Sequence, residues 1–317
     1  MNNKNFTKDV SIIIVNYNTK QLLADCLNSI YEQTKDIDFE VIVSDNGSRD
    51  GSIEMLKKAF PQVILIENNA NLGFGTANNR GLAIANGKYI FYLNSDTILL
   101  NNAVKIFFDY WEKNGEKENI GALGCNLLDK DGNITLSYGN PLGEATSVNN
   151  FIKKRFWTMY SSYKTAIKYY IFHKQLKEVH KNTEYLSFTG LVGYITGADL
   201  FLRNDENAFF DEKIFLYYEE TDLQWRLSQK GLHSYLIDGP KIIHYEGGSE
   251  NKTKLEVVNL SSFSAINIYK SSIYFLKKNH IASFFQICIL KLLTLLFWIN
   301  PLVFSKTRKH IISMLFI

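Results

Sequence analysis

Over the first hundred residues, short apolar runs alternate with stretches of helical period. Val10–Val15 is apolar and β-branched and predicts a buried strand. Gln21–Tyr31 spaces Leu22, Leu23, Cys26, Leu27, Ile30 and Tyr31 as one face of a helix. Glu40–Ser44 predicts a second strand, running into the turn-forming Asp45-Asn-Gly-Ser48. A helix over Ser52–Phe60 is stopped by Pro61, and Val63–Glu67 predicts a third strand. A helix over Thr76–Ala85 has Gly87 just past its end, and Lys88–Leu93 predicts a fourth strand. Alternation of this kind implies a mostly parallel sheet with helices on both faces. Ligands then bind at the carboxyl ends of the strands. Asn16-Tyr-Asn18, Asp45-Asn-Gly-Ser48 and Asn94-Ser-Asp96 each follow a strand, so they are expected to converge on one crevice.

Further along, the pattern changes. The aromatic and Lys-rich stretch 142–185 carries no clean strand signal and is expected to be an insertion over or near the site. Gly193–Ala198 and Leu200–Arg203 predict a return to the sheet, and Leu223–Leu227 a helix. Ile281–Phe304 is apolar with few interruptions and long enough to span a bilayer. Lys291 near its centre would cost about 2.5–3.5 kcal/mol on insertion. Basic residues flank both ends: Lys277 and Lys278 before it, Lys306, Arg308 and Lys309 after it. Helices lying in the interface keep both clusters on anionic headgroups, whereas a span would carry one across. The competing expectation is a buried core or dimer helix. The division expected is a domain over 1–255 and a helical, membrane-associating appendage over 256–317.

Composition adds limits. The 317 residues are 46% hydrophobic and 21% charged, ordinary for a folded protein. A net charge of +3 gives no footprint for nucleic acid, and no such partner is expected. The three cysteines, Cys26, Cys125 and Cys288, form no CxxC and suggest neither a disulfide framework nor a zinc site. With an apolar run of only six residues near the start, no signal-peptide core is expected, and a reducing, cytoplasmic location follows.

The candidate chemistry lies in two acidic elements. Asp96, at a strand end, is placed to bind a divalent cation that neutralises a diphosphate leaving group. The same position also suits a turn or helix cap. Glu219, Glu220 and Asp222 offer three carboxylates over four residues. Crowding like charges raises a pKa and poises a general base for a hydroxyl proton, although acids also suit a helix N-terminus. His244 is a candidate ligand, and equally a structural histidine. Competing motifs fail. The turn after the first strand lacks glycine, and the glycine pattern at Gly73-Phe-Gly75 ends in Asn78, so no dinucleotide fingerprint forms. Neither a P-loop nor a GxSxG elbow occurs.

Taken in order, several segments resemble the family 2 glycosyltransferases of GT-A fold. They are Val10–Asn18, Val41–Ser48 with Asp50, Asn71–Gly81, Tyr92–Asp96, Gly197-Ala198, Tyr218–Leu223 and His244. They run over roughly residues 10 to 250, and the look is similar to bacterial rhamnosyltransferase-like members. The resemblance implies a Rossmann-like GT-A sheet and inverting transfer from a nucleotide diphosphate-sugar, dTDP-rhamnose or a UDP-sugar, with Mg2+ or Mn2+. The acceptor implied is a hydroxyl of a glycan or lipid-linked saccharide in cell-surface polysaccharide synthesis. By motif match, Tyr17 and Asp45 would contact the base, with Asn18 and Asn79 near the nucleotide. Asp96 is the surviving last acid of the family's DxD, and Asn94 stands in place of the first. His244 would be a further metal or diphosphate ligand. Gly197 and Ala198 would face the acceptor. Glu220 stands at the position of the base, where many relatives have Asp, with Glu219 and Asp222 as alternatives. Peripheral contact of 277–317 with the inner face of the cell membrane, and an oligomer, are compatible with this. The alternative is a catalytically inactive GT-A-like binding or scaffold subunit; retention of Asp96, Glu220 and His244 speaks against it.

Overall fold

The computed structural model describes residues 6–143, 145–172, 185–245 and 263–317. Its elements follow the sequence pattern through the first hundred residues. They are β1 (Lys8–Asn16), α1 (Lys20–Gln33), β2 (Phe39–Asp45), α2 (Ser52–Ala59), β3 (Ile64–Glu67), α3 (Phe74–Ile84) and β4 (Gly87–Asn94). Then come β5 (Thr97–Leu99), α4 (Ala103–Asn114), β6 (Ile120–Cys125), β7 (Tyr138–Gly139) and α5 (Val148–Tyr170). β8 (Gly190–Val192), β9 (Tyr194–Ile195), β10 (Asp199–Arg203), α6 (Glu219–Ser228), β11 (His233–Ile237) and β12 (Ile242–His244) follow. The chain closes with α7 (Phe263–Lys278), α8 (Phe284–Trp298) and short helical turns from Phe304 to Leu315.

Eight strands form one sheet in the order β3-β2-β1-β4-β10-β6-β11-β8. The first four pair in parallel, as βαβ crossovers require. β10 runs antiparallel between β4 and β6, which makes the sheet mixed around a parallel half. Ile12, Ile13 and Ile14 in β1, and Phe91 and Tyr92 in β4, are fully buried, because a central strand is covered on both faces. Close approach of α3 to β1 depends on Gly81. A Cβ there would lie 2.5 Å from Cγ2 of Ile13. Gly81→Val is therefore expected to cost about 1–3 kcal/mol of stability through overpacking, read as a lower denaturation midpoint in urea. An unchanged midpoint would refute the contact.

Two compact units result. The first is Met1–Pro141, Glu184–Phe215 and Glu219–Glu250; the second is Leu142–Thr183, Leu216–Tyr218 and Asn251–Ile317. Of the stretch 142–185, expected as an insertion over or near the site, the described residues 145–172 thus group with the C-terminal helices. Within this second unit Tyr163 donates to the carbonyl of Leu296 (2.8 Å), and Asn300 donates to Ser162 Oγ (3.0 Å). The Arg155 guanidinium lies 3.7 Å from the Tyr269 ring centre and donates to Ser272 Oγ. Leu216–Tyr218 packs here too: Ser271 Oγ donates to the Leu216 carbonyl, and Tyr217 donates to Ser264 Oγ (2.7 Å). Most of the apolar run 281–304 forms α8, started by a Ser283–Gln286 capping box. No described helix is long and apolar enough to cross a membrane.

Candidate active site at the carboxyl edge of the sheet

Register brings the strand ends together. Asn16 lies opposite Asp45, and Val15 opposite Asn94. Asn16 donates from Nδ2 to Asp45 Oδ2 (2.6 Å) and to Ser48 Oγ (3.0 Å). Oδ1 of fully buried Asp45 accepts from the Gly47 and Ser48 amides at 3.0 and 2.8 Å. Asn18 takes a left-handed conformation (φ 56°). Its Oδ1 accepts from the Arg49 amide, and its own amide donates to Ser48 Oγ. Asp45 and Asn18 thus shape the two loops through these bonds, while the neighbouring Tyr17 stays 43% exposed. Both ends of the Asn79 amide engage the backbone of Phe210, fastening α3 to the segment after β10. Thr19 bridges to the third strand end through Asn16 Oδ1 (2.7 Å) and Ser95 Oγ (2.9 Å).

That third end carries the densest polar cluster on this edge. The chain turns after Asn94, held by Thr97 donating to the Asn94 carbonyl (2.8 Å), and enters β5. β5 pairs with β12, setting Thr97 opposite His244, and the Tyr245 amide donates to the Asp96 carbonyl. As a result His244 Nε2 lies 3.3 Å from Asp96 Oδ1 and 3.3 Å from Asn94 Nδ2. A neutral Nε2 lone pair facing a carboxylate oxygen at that distance is repulsive unless a proton or cation lies between them. Two ligands on adjacent octahedral vertices, at about 2.1 Å from a divalent cation, lie about 3 Å apart, so the spacing fits one. Among the described residues no group of three or more His, Cys, Asp and Glu could hold a metal. The donor set therefore suits a cation that takes its remaining ligands from phosphate and water.

The edge continues into α6. The Asn94 amide donates to the Ala198 carbonyl (3.1 Å). A Cβ at the adjacent Gly197 would lie 3.9 Å from Cβ of Glu220. Gln224 clamps α6 to β9 by accepting from the Ile195 amide and donating to its carbonyl, both at 2.8 Å. Hence Glu220, Gly197, Ala198, Asn94, His244 and Asp96 form one continuous edge. Just before it, Tyr217 and Tyr218 both adopt left-handed backbones (φ 63° and 72°), a strain of about 1–3 kcal/mol each.

The three acids of the cluster have different environments. Glu220 is half-buried; burial pushes its carboxyl up to about 7, partly offset by amides at the start of α6. Glu219 is only 4% exposed and packs beneath Gly75 at the start of α3, with Oε2 lacking a hydrogen-bond partner. Burial, then the neighbouring Glu220 charge, holds it well above the usual carboxylate range. Asp222 is fully buried and ion-paired to Arg226 Nε at 3.2 Å. Glu220 is the acid among them that is open to a substrate.

Asp199 was not foreseen. It starts β10, is fully buried, and accepts from the Cys125 amide at 2.7 Å, leaving Oδ1 without a hydrogen-bond partner. Burial raises its carboxyl to about 7, and the field of His244 lowers it in part. Its signal in the sequence was an acid inside the apolar run Ala198–Leu202.

Residues 11–156 match the model of the family described as glycosyl transferase family 2. The poly(ribitol-phosphate) beta-glucosyltransferase of Bacillus spizizenii is 33% identical over 119 residues, 36% of this chain and 19% of that protein. The N-acetylglucosaminyl-diphospho-decaprenol L-rhamnosyltransferase of Mycobacterium tuberculosis is 25% identical over 231 residues, 67% of this chain and 68% of that one. The chain therefore spans about a fifth of the first relative's length and two thirds of the second's. Among solved structures, the mannosyltransferase PcManGT from Pyrobaculum calidifontis, in complex with GDP-Man and Mn2+, superposes with a TM-score of 0.51 at 14% identity. That match covers 97% of this chain and 77% of PcManGT and is a likeness of fold. The matched segment contains most of β1, β2 to β5 and the Asn94–Asp96 turn; over it the chain is similar to glycosyl transferase family 2, and its fold is of GT-A type.

Proposed function

We propose that the protein is an inverting glycosyltransferase that moves a sugar from a nucleotide diphosphate-sugar to a hydroxyl of a glycan or lipid-linked saccharide. The observation that carries this reading is the continuous edge from Glu220 through Gly197 and Ala198 to Asn94, His244 and Asp96. A base and a diphosphate-side cluster on one edge are what a single displacement needs. The donor is dTDP-rhamnose or a UDP-sugar, a choice supported by the rhamnosyltransferase among the relatives.

In this reading Glu220 accepts the proton of the acceptor hydroxyl. The acceptor oxygen bonds to the anomeric carbon as the carbon–oxygen bond to the diphosphate breaks from the opposite face. The leaving diphosphate takes the electron pair. Asp96 and His244 would hold Mg2+ or Mn2+, and a bound cation would neutralise charge on the diphosphate. Asn94 orients His244, and Gly197 keeps the floor beside Glu220 open to the acceptor. Asp45 and Asn18 shape the loops that present Tyr17 to the base. Asn79 acts more remotely, fixing the start of the 210 segment, and Asp222 holds Arg226 rather than a proton in transit.

Incubating the protein with dTDP-rhamnose and with UDP-sugars, in Mn2+ and a lipid-linked acceptor, tests the reading. Release of nucleotide diphosphate with an inverted anomeric centre in the product, seen by NMR, is expected. Product with retained configuration would contradict the displacement.

A further inference from the structure

We propose that the helical unit docks on an anionic lipid bilayer through outward stripes of α5 and α8. α8 buries Ile287, Leu290, Leu293, Phe297 and Trp298 on its packed side. Its opposite side repeats Phe285, Cys288, Ile289 and Leu292 at three- and four-residue spacing, all exposed, and Ile299 just past its end is exposed too. Phe285 is 77% and Leu292 56% exposed. A helix that is apolar on both sides is covered by something on both sides. α5 repeats the arrangement in mixed form. Lys153, Trp157, Tyr160, Lys164 and Ile167 line its outward side, with Trp157 62% exposed.

Charge decides what covers these stripes. Residues 145–172 carry five basic side chains, Lys153, Lys154, Arg155, Lys164 and Lys168, and no acid. Residues 263–317 carry seven more Lys and Arg, and again no Asp or Glu. The whole protein is nearly balanced, with 35 basic and 32 acidic residues, so this asymmetry belongs to the helical unit. A second copy seated on the same face would set like charges against each other. Nucleic acid would match the charge but leave the aliphatic stripe of α8 in water. An anionic bilayer satisfies both: apolar side chains enter the acyl boundary, Trp and Tyr sit at headgroup level, and Lys and Arg meet phosphates. α8 has 15 residues, about 22 Å at 1.5 Å each, against a hydrocarbon core of about 30 Å. It therefore lies in the interface rather than crossing it. Such docking would hold the protein beside a lipid-linked acceptor.

The test is co-sedimentation of the full chain with vesicles of equimolar phosphatidylglycerol and phosphatidylcholine, and with phosphatidylcholine alone. Binding to the anionic vesicles, weakening with salt, is expected. Phe285→Ser with Leu292→Ser, both at exposed positions, is expected to weaken binding at least about tenfold at an unchanged melting temperature. Lys306→Glu with Lys309→Glu should do the same at low salt. No binding, equal binding to neutral vesicles, or a dimer in solution dissociated by the same substitutions would each overturn the proposal. Vesicle binding needs no donor sugar, so its failure leaves the transferase reading intact.

Discussion

Glu220→Gln is expected to lower sugar transfer by roughly 10²–10⁴-fold, the contribution of a positioned general base, while nucleotide binding stays close to wild type. The amide keeps the shape of the side chain and removes its ability to take a proton. Two readouts separate this from a structural defect. First, burial raises the Glu220 carboxyl to about 7, so wild-type kcat/KM should fall tenfold per pH unit below about 7 and level off above it. Second, the sign for stability is opposite. A carboxyl whose folded pKa lies above its unfolded value costs nothing below the unfolded value. The cost grows as pH rises and is complete above about 7. Glu220→Gln should therefore raise the melting temperature at pH 8 and leave it unchanged at pH 4. Glu219→Gln, under the Gly75 contact, should retain most transfer. A variant at 220 that transfers at near-normal rate would remove Glu220 from its role.

The second large effect is expected at the Asp96–His244 pair. Asp96→Asn removes the charge and His244→Ala removes the ring that faces it at 3.3 Å. Each should cut metal-dependent transfer by about 10²-fold or more, as losing a direct ligand exceeds the 10–100-fold typical of an outer partner. Because both would act on one bound cation, the double variant should fall well short of the product of the single losses. Fully multiplicative losses, measured as kcat/KM at saturating Mn2+, would mean that the two side chains work separately.

The inner strands of the parallel half were legible because they are buried on both faces and read as apolar runs, Val10–Val15 being the clearest. The convergence of the Asn16, Asp45 and Asn94 ends followed from topology alone, and the register agrees. β5 and β12 were missed because three-residue strands are too short to establish a period, yet their pairing is what carries His244 to Asp96. Asp199 was missed because one acid in an apolar run has no motif; burial gives it interest, and burial is a tertiary property. Asp222 is a candidate base by spacing, but Arg226 lies one turn on and pairs with it, a contact that composition does not reveal. The grouping of α5 with the C-terminal helices rests on long-range bonds such as Tyr163 to Leu296 and Asn300 to Ser162. Local pattern carries no trace of those. The run Glu246–Ser249, close behind His244 in sequence, lies outside the described residues.

The most direct measurement is calorimetric titration of UDP, dTDP and GDP into wild type and Asp96→Asn, with and without Mn2+. UDP or dTDP is expected to bind wild type more tightly with Mn2+, and Asp96→Asn to lose the metal-dependent part while keeping the rest. Binding that is indifferent to Mn2+ and to the substitution, or no binding of any of the three, would contradict this expectation.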